Sequence, residues 1–173
     1  YKRQHIAFII SAFFLTSCST NQTSQIATVG EWYMGNLKGK SFKLGSKDNI
    51  ELIKMAGEAY NAMDAEKIVS YFSKDAKIYS YSGEELQVSK ELYESYFSTL
   101  DSLTWEPHGM STQTLEDDSI AVVSIPSTDI RYFKEQEKQA SYLFERFWIV
   151  DGKITTIVQY KRESAKNYDE IEL

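Results

Sequence analysis

From Asp48 to Met63 apolar residues return at every third or fourth position. Leu52, Ile53, Ala56, Ala59, Tyr60 and Met63 fall on one face, and this spacing predicts a helix. Asp48 and Glu51 give it a capping-box-like start, and Asn61 to Asp64 ends it. Asp64 caps a second, short helix with Ile68, Val69 and Phe72 turned inward. Ala76 to Ser82 alternates, with Ile78, Ser80 and Ser82 on one face and Tyr79 and Tyr81 on the other, a strand that Gly83 breaks. A third helix is predicted from Ser89 to Leu100, with Leu92, Tyr93, Tyr96 and Phe97 on its stripe.

Beyond Leu100 the period falls to two. Leu103 to Leu115 reads as an irregular strand, with Pro107-His108-Gly109 marking a bulge or an edge. Ile120 to Phe133 is a long strand bent at Pro126. After a polar turn at 134–139, Ser141 to Tyr160 forms a hairpin closed by Asp151-Gly152, both able to take the positive φ of a type I′ turn. On its first strand Leu143, Glu145, Phe147 and Ile149 share one face, and Tyr142, Phe144, Arg146 and Trp148 share the other. Both faces are apolar enough to make the hairpin central in a covered sheet. The order helix, helix, strand, helix and then four strands predicts an α+β fold over 47–163, followed by a polar, acidic tail at 164–173. No internal repeat or second domain is visible.

Ahead of the first helix, 19–46 is rich in Ser, Thr, Asn and Gln and then punctuated by glycines, without a helical period. It reads as a tether. Trp32, Tyr33, Phe42 and Leu44 are too apolar for a pure linker, so this arm is expected to pack on the outside of the domain. Lys2 and Arg3 precede an apolar run from Ile6 to Leu15, too short to span a bilayer but suited to a signal segment. The run ends in Leu15-Thr16-Ser17-Cys18, which resembles a bacterial lipobox. That resemblance implies a leader at 1–17 removed before Cys18 and lipidation of Cys18. The protein is then expected to be anchored by acyl chains in a bacterial cell envelope, at the outer membrane.

Charge narrows the partners. Of 19 basic residues two lie in the leader, so 17 remain against 25 acidic ones, a net charge of −8 with no basic stripe. A nucleic-acid surface is therefore excluded. Cys18 is the only cysteine, and His108 is the only histidine outside the leader, so no metal set is expected. No P-loop, nucleophile elbow or dinucleotide glycine motif is present, and no cofactor is implied.

The stretches AYNAMDAEKIVSYFSKDAKIY and FERFWIVDGKITTIVQY, in this element order, resemble the nuclear transport factor 2-like superfamily, which includes ketosteroid isomerases and SnoaL-like polyketide cyclases. The resemblance implies a cone-shaped, strongly curved antiparallel sheet packed over three N-terminal helices, with a pocket between them. It also implies a homodimer through the outer sheet face. Ala56, Tyr60, Ile78, Ser80, Phe147 and Tyr160 are the residues expected to line the pocket. Ketosteroid isomerases use a carboxylate base, an oxyanion tyrosine and a protonated acid; the matching positions here hold Ser80, Ala56 and Glu145. Steroid-type isomerisation is therefore disfavoured.

Four residues could carry other chemistry. Glu145 stands among Leu143, Phe147 and Ile149; the two-residue-turn register puts Val158 opposite it, so few groups could solvate it. A bland alternative makes it a surface acid or half of an ion pair. Asp129 and Arg131 share a strand face, and with Glu145 they could form an acid-arginine-acid cluster resembling that of epoxide hydrolases of the superfamily, in a different order along the strand. The plainer reading is a solvent-exposed ladder of charges. His108 could act as the acid or base, although Pro107 and Gly109 favour a loop. Two functions stay open: a non-catalytic module that binds a small apolar or amphipathic ligand or a protein, and an acid/base enzyme using Glu145 with His108, Asp129 or Tyr160. A cavity filled by Tyr and Phe favours the first. An open one holding Glu145 and a second ionisable group favours the second.

Overall fold

The computed structural model describes residues 27–134 and 138–162; the expected leader at 1–17, Cys18 and the acidic tail at 164–173 lie outside them. The chain runs β1 (Thr28–Glu31), a 3-10 turn (Gly35–Leu37), β2 (Ser41–Leu44), α1 (Lys47–Asn61), α2 (Ala65–Val69) and β3 (Phe72–Tyr79). There follow β4 (Glu85–Gln87), α3 (Lys90–Phe97), β5 (Leu100–Pro107), β6 (Ser111–Leu115), β7 (Ala121–Phe133), β8 (Gln139–Val150) and β9 (Lys153–Arg162). The strands form one sheet in the order β1-β2-β6-β7-β8-β9-β3-β4, with β5 also paired to β7. All neighbours are antiparallel except β3 and β9, so the sheet is mixed rather than wholly antiparallel as expected. A long chain segment separates those two strands, and such a connection permits parallel pairing where a hairpin would not.

Each helix begins on a short polar side chain. The cap of α1 is Ser46, two residues before the expected Asp48: its Oγ accepts the Asp48 N–H at 3.1 Å. Asp64 accepts from the Lys67 N–H at 2.9 Å and Ser89 from the Leu92 N–H at 3.1 Å. The helices lay Ile53, Ala59, Ile68 and Phe97 against Val123, Ile125 and Ile154 of the sheet, which buries the main core.

The glycine-punctuated segment is not an unstructured tether in its described part. Gly35 and Gly39, at φ +62° and +81°, turn the chain between β1 and β2, and β2 extends the sheet along β6. Phe42 is buried with Leu115 and Val122, while Trp32 meets Trp148 edge-on at 5.2 Å. The Arg146 guanidinium lies over both indoles. The arm thus covers the Trp148 end of the outer face, while Phe144 and Tyr160 stay 43% and 54% exposed. The strand expected over 103–115 is two, β5 and β6, parted at 108–110. At the gap Pro126 of β7 gives its carbonyl to the His108 N–H at 2.8 Å, and a residue without an N–H falls where β7 changes partner.

The β8–β9 hairpin closes through Asp151 and Gly152 at φ +50° and +70°. Ile149 pairs with Ile154, but Trp148 pairs with Thr156. Thr155 is therefore an extra residue, its Oγ1 donating to the Trp148 carbonyl at 3.2 Å. A slip of one residue turns every later side chain over. Gln159, not Val158, faces Glu145, and Tyr160 lies across from Phe144 on the outer face instead of lining the pocket.

Candidate active site

Between the helices and the sheet lies a cavity of about 320 Å³, at the low end of the roughly 300–1,000 Å³ of small-molecule sites. Ala56 and Tyr60 reach it from α1, Tyr93 and Tyr96 from α3, Trp105 from β5, and Phe147 from β8. Ile78 and Ser80 line it from β3 and the turn that follows. Glu145, Asp129 and Arg131 line it too, so three of the four candidate chemical residues share one cavity. His108 does not: with Tyr160 it borders a separate hollow beside Phe144, its Nε2 2.8 Å from the Thr128 Oγ1.

Glu145 is 3% exposed and well supplied with donors, contrary to the expectation from Val158. Trp105 Nε1 and Ser127 Oγ donate to its Oε2, each at 2.7 Å, and Gln159 Nε2 donates to Oε1 at 3.0 Å. An indole N–H and an amide NH2 can only donate, so both oxygens of Glu145 act as acceptors. Trp105 is itself set by α1. Asn61 clamps its backbone, accepting from the Trp105 N–H at 2.6 Å and donating to its carbonyl at 3.0 Å. The alternation of β8 aims Glu145 inward, but its partners come from β5, β7 and β9, and pattern alone shows none of them.

Asp129 is the less satisfied acid. It is 6% exposed, not part of a solvent ladder, because the face of β7 that carries Val123 and Ile125 carries Ser127, Asp129 and Arg131 as well. Its Oδ2 lies 3.4 Å from Arg131 Nε and receives a long 3.5 Å bond from the Tyr60 hydroxyl. Oδ1 is buried with no hydrogen-bond partner among the described residues. Arg131 Nε is close enough for charge attraction but misaligned for a hydrogen bond, so its N–H also lacks an acceptor. The guanidinium is held from its other side, Nη2 donating to Ser141 Oγ at 2.8 Å.

These surroundings set the proton affinities. Burial pushes the Asp129 carboxyl up to about 6; the Arg131 charge opposes that rise and the Glu145 charge adds to it. Burial and then the charge of Asp129 hold the Tyr60 phenol well above the ordinary tyrosine range, and burial raises Tyr96. The two hydroxyls lie 3.3 Å apart and stay protonated, so when Tyr60 donates to Asp129, Tyr96 can donate to Tyr60. Ser80 spends its hydroxyl on Ser82 and the Glu84 N–H, and Ala56 offers only a methyl group. The site can therefore offer a carboxyl raised to about 6, backed by a guanidinium and a phenol pair, in a mostly apolar chamber. No group of side chains suited to a metal ion occurs among the described residues.

No family model matches the chain, and no curated protein matches it. Solved structures do. A protein from Novosphingobium aromaticivorans, provisionally assigned as an aromatic ring hydroxylase, aligns with a TM-score of 0.62 at 12% identity, covering 72% of this chain and 96% of the other. A second protein of that organism, provisionally assigned as a scytalone dehydratase, gives 0.60 at 12% identity, over 67% and 83%. An epoxide hydrolase of the LEH-like type from M. tuberculosis gives 0.52 at 13% identity, over 68% and 84%. At these identities the likeness shows the fold alone.

Proposed function

We propose that this nuclear transport factor 2-like fold carries an acid/base enzyme acting on a small, largely apolar molecule, with Asp129 as the group that takes and returns a proton. One observation carries the reading: Asp129 lines the cavity as a buried carboxyl, beside Arg131 and Tyr60, with its Oδ1 unpartnered among the described residues. A carboxyl poised near 6 is matched to proton transfer around neutral pH. Arg131 would hold the ionised form, and Tyr60 with Tyr96 would supply a hydrogen bond to it. Glu145, its oxygens committed to Trp105, Ser127 and Gln159, would orient Trp105 and bias Asp129 by its charge, not exchange protons. The cavity is open and holds Glu145 with a second ionisable group, Asp129, which favours an enzyme over the non-catalytic module. A dehydratase and an epoxide hydrolase among the structural neighbours are in keeping with it.

The test is a turnover screen of small apolar β-hydroxy ketones, epoxides and β,γ-unsaturated ketones. Wild type should convert one class with a rate that changes through pH 6, and Asp129→Asn should lose about a hundredfold or more while staying folded. Binding of all three classes with conversion of none would leave the non-catalytic module as the function.

We place this domain in a bacterial envelope on an acyl anchor at Cys18, a proposal supported by Leu15-Thr16-Ser17-Cys18 after the apolar run. A homodimer through the exposed Phe144 and Tyr160 belongs to the same proposal, and mass measurement in solution tests it.

A further inference from the structure

The β1–β2 arm turns some of its apolar side chains inward and holds others out. Trp32 and Leu37 pack against the cluster of Phe42, Leu115 and Val122, which fixes the tip of the arm on the sheet edge. The Trp32 N–H donates to the Lys40 carbonyl at 2.9 Å, and the Gly39 N–H to the Trp32 carbonyl at 2.7 Å. On the tip so held, Tyr33 and Met34 stand side by side, 74% and 76% exposed. Val29 and Leu44 are exposed at the arm's other end. Four of the ten large apolar side chains left exposed among the described residues thus lie within 29–44. Single apolar residues scattered over a surface need no explanation, but an adjacent pair on a held tip does.

Charge singles out the same arm. In a chain of net charge −6, the stretch 28–47 holds Lys38, Lys40, Lys43 and Lys47 against one acid, Glu31. Lys40 and Lys43 pair with Asp117 and Asp118 at 3.3 and 2.7 Å, whereas Lys38 and Lys47 make no ion pair among the described residues. Lys38 belongs to the tip itself, four residues after Met34. An exposed tyrosine and methionine with a lysine beside them suit the surface of an anionic bilayer. The phenol ring sits at the level of the headgroups, the thioether chain among the upper acyl carbons, and the ammonium against lipid phosphates. The chain upstream supports that occupant. Ten residues lead from Cys18, the proposed acyl site, to Thr28, and fully extended they span at most roughly 35 Å. Such a connection keeps the arm within reach of lipid at all times, which favours a bilayer over a protein.

We infer that the tip of the β1–β2 arm is a membrane-contact surface, with Tyr33 and Met34 dipping into the headgroup region of an anionic bilayer and Lys38 against its phosphates. This deepens the envelope placement proposed above and rests on it only for the nearness of a membrane.

The test uses the full chain with Cys18→Ser, which removes the only native thiol, and Asn36→Cys at the tip labelled with the environment-sensitive dye NBD. Vesicles of phosphatidylcholine and phosphatidylglycerol in equal parts are titrated in. Emission from the tip should brighten and move to shorter wavelength, while the same dye at Ser95→Cys, exposed on α3, should not respond. Burial of an apolar side chain is worth about tenfold or more in partition. Tyr33→Ser with Met34→Ser should therefore raise the lipid needed for half the tip response by at least about tenfold. The thermal unfolding midpoint should stay where it was, because neither side chain is packed. The inference is overturned if the tip label ignores lipid, responds no more than the Ser95 label, or responds equally to phosphatidylcholine alone. It is also overturned if the response survives the loss of Tyr33 and Met34. A change that grows with protein concentration and needs no lipid would make a second copy of the chain the occupant instead. Acylation of Cys18 is read separately, from the intact mass of the wild type, so either proposal can fail alone.

Discussion

The indole of Trp105 lies on the bare α-carbon of Gly57. A Cβ there would run into Cζ3 of the ring and come within 2.7 Å of Cε3. The same indole donates to Glu145 Oε2, so a missing side chain on α1 lets a strand 48 residues later complete a buried bond. In an exposed helix, glycine to alanine is favourable by up to about 1 kcal/mol. Here Gly57→Ala should instead destabilise by about 1–3 kcal/mol, because the buried ring can yield to the new methyl group only by straining its 2.7 Å bond to Glu145. Urea unfolding checks the sign, and a shift in tryptophan emission should accompany it.

Glu145→Gln should be mild. The new amide can keep its oxygen toward Trp105 and Ser127, while Gln159 turns its own amide round to accept from the new NH2. A cost within about 1 kcal/mol is expected, against several for Glu145→Leu, which leaves two buried donors and the half-buried Gln159 amide bare. Removing the charge should also move Asp129, since Glu145 contributes to the upward shift of its carboxyl. The Asp129 titration, followed by carboxyl carbon NMR, should fall below its wild-type midpoint of about 6. An unmoved midpoint would deny the coupling between the two acids.

Much of this site could be read from alternation. The spacing of Leu143, Glu145, Phe147 and Ile149 on β8 turns Glu145 inward, and the same rule puts Asp129 with Arg131. Which face those two share could not be read, because Ser127, Thr128, Asp129 and Arg131 make both sides of β7 polar there. The slip at Thr155 was hidden for a related reason. Lys153 to Val158 has a uniform strand composition, and an extra threonine looks like any other residue of it. Trp105 and Asn61 escaped notice because their bonds join positions 40 and 44 residues apart, beyond any local pattern.

Trp32 should matter to stability although it precedes the main domain. Its ring meets Trp148 edge-on, and the Arg146 guanidinium lies over both indoles. Trp32→Ala should cost about 1–3 kcal/mol, less than for a fully buried tryptophan because the residue is only half-buried. Thermal unfolding of the variant checks it, and an unchanged midpoint would mean that the arm is not held on the sheet.

For the anchor, Cys18→Ser removes the thiol that would receive the lipid. The variant is expected either in the soluble fraction or as an uncleaved precursor. Membrane fractionation and intact-mass measurement read both, and normal processing with membrane retention would sink the lipobox reading.

Asp129 also leaves a signature in stability. Its carboxyl titrates near 6 when folded and near the ordinary 3.8 when unfolded, so between those values the native state holds the proton and the unfolded chain releases it. Folding stability from this group is fully present below 3.8 and declines as pH rises through 6, by about 3 kcal/mol in all. Asp129→Asn cannot titrate yet keeps an acceptor for Tyr60. Wild type should therefore lose about 3 kcal/mol relative to this variant between pH 3.5 and pH 7.5, whatever other groups do to both. Urea denaturation of the two proteins across that range gives the difference directly. Parallel stability profiles would mean that Asp129 is an ordinary solvated carboxylate, and the proton-transfer role would fall with them.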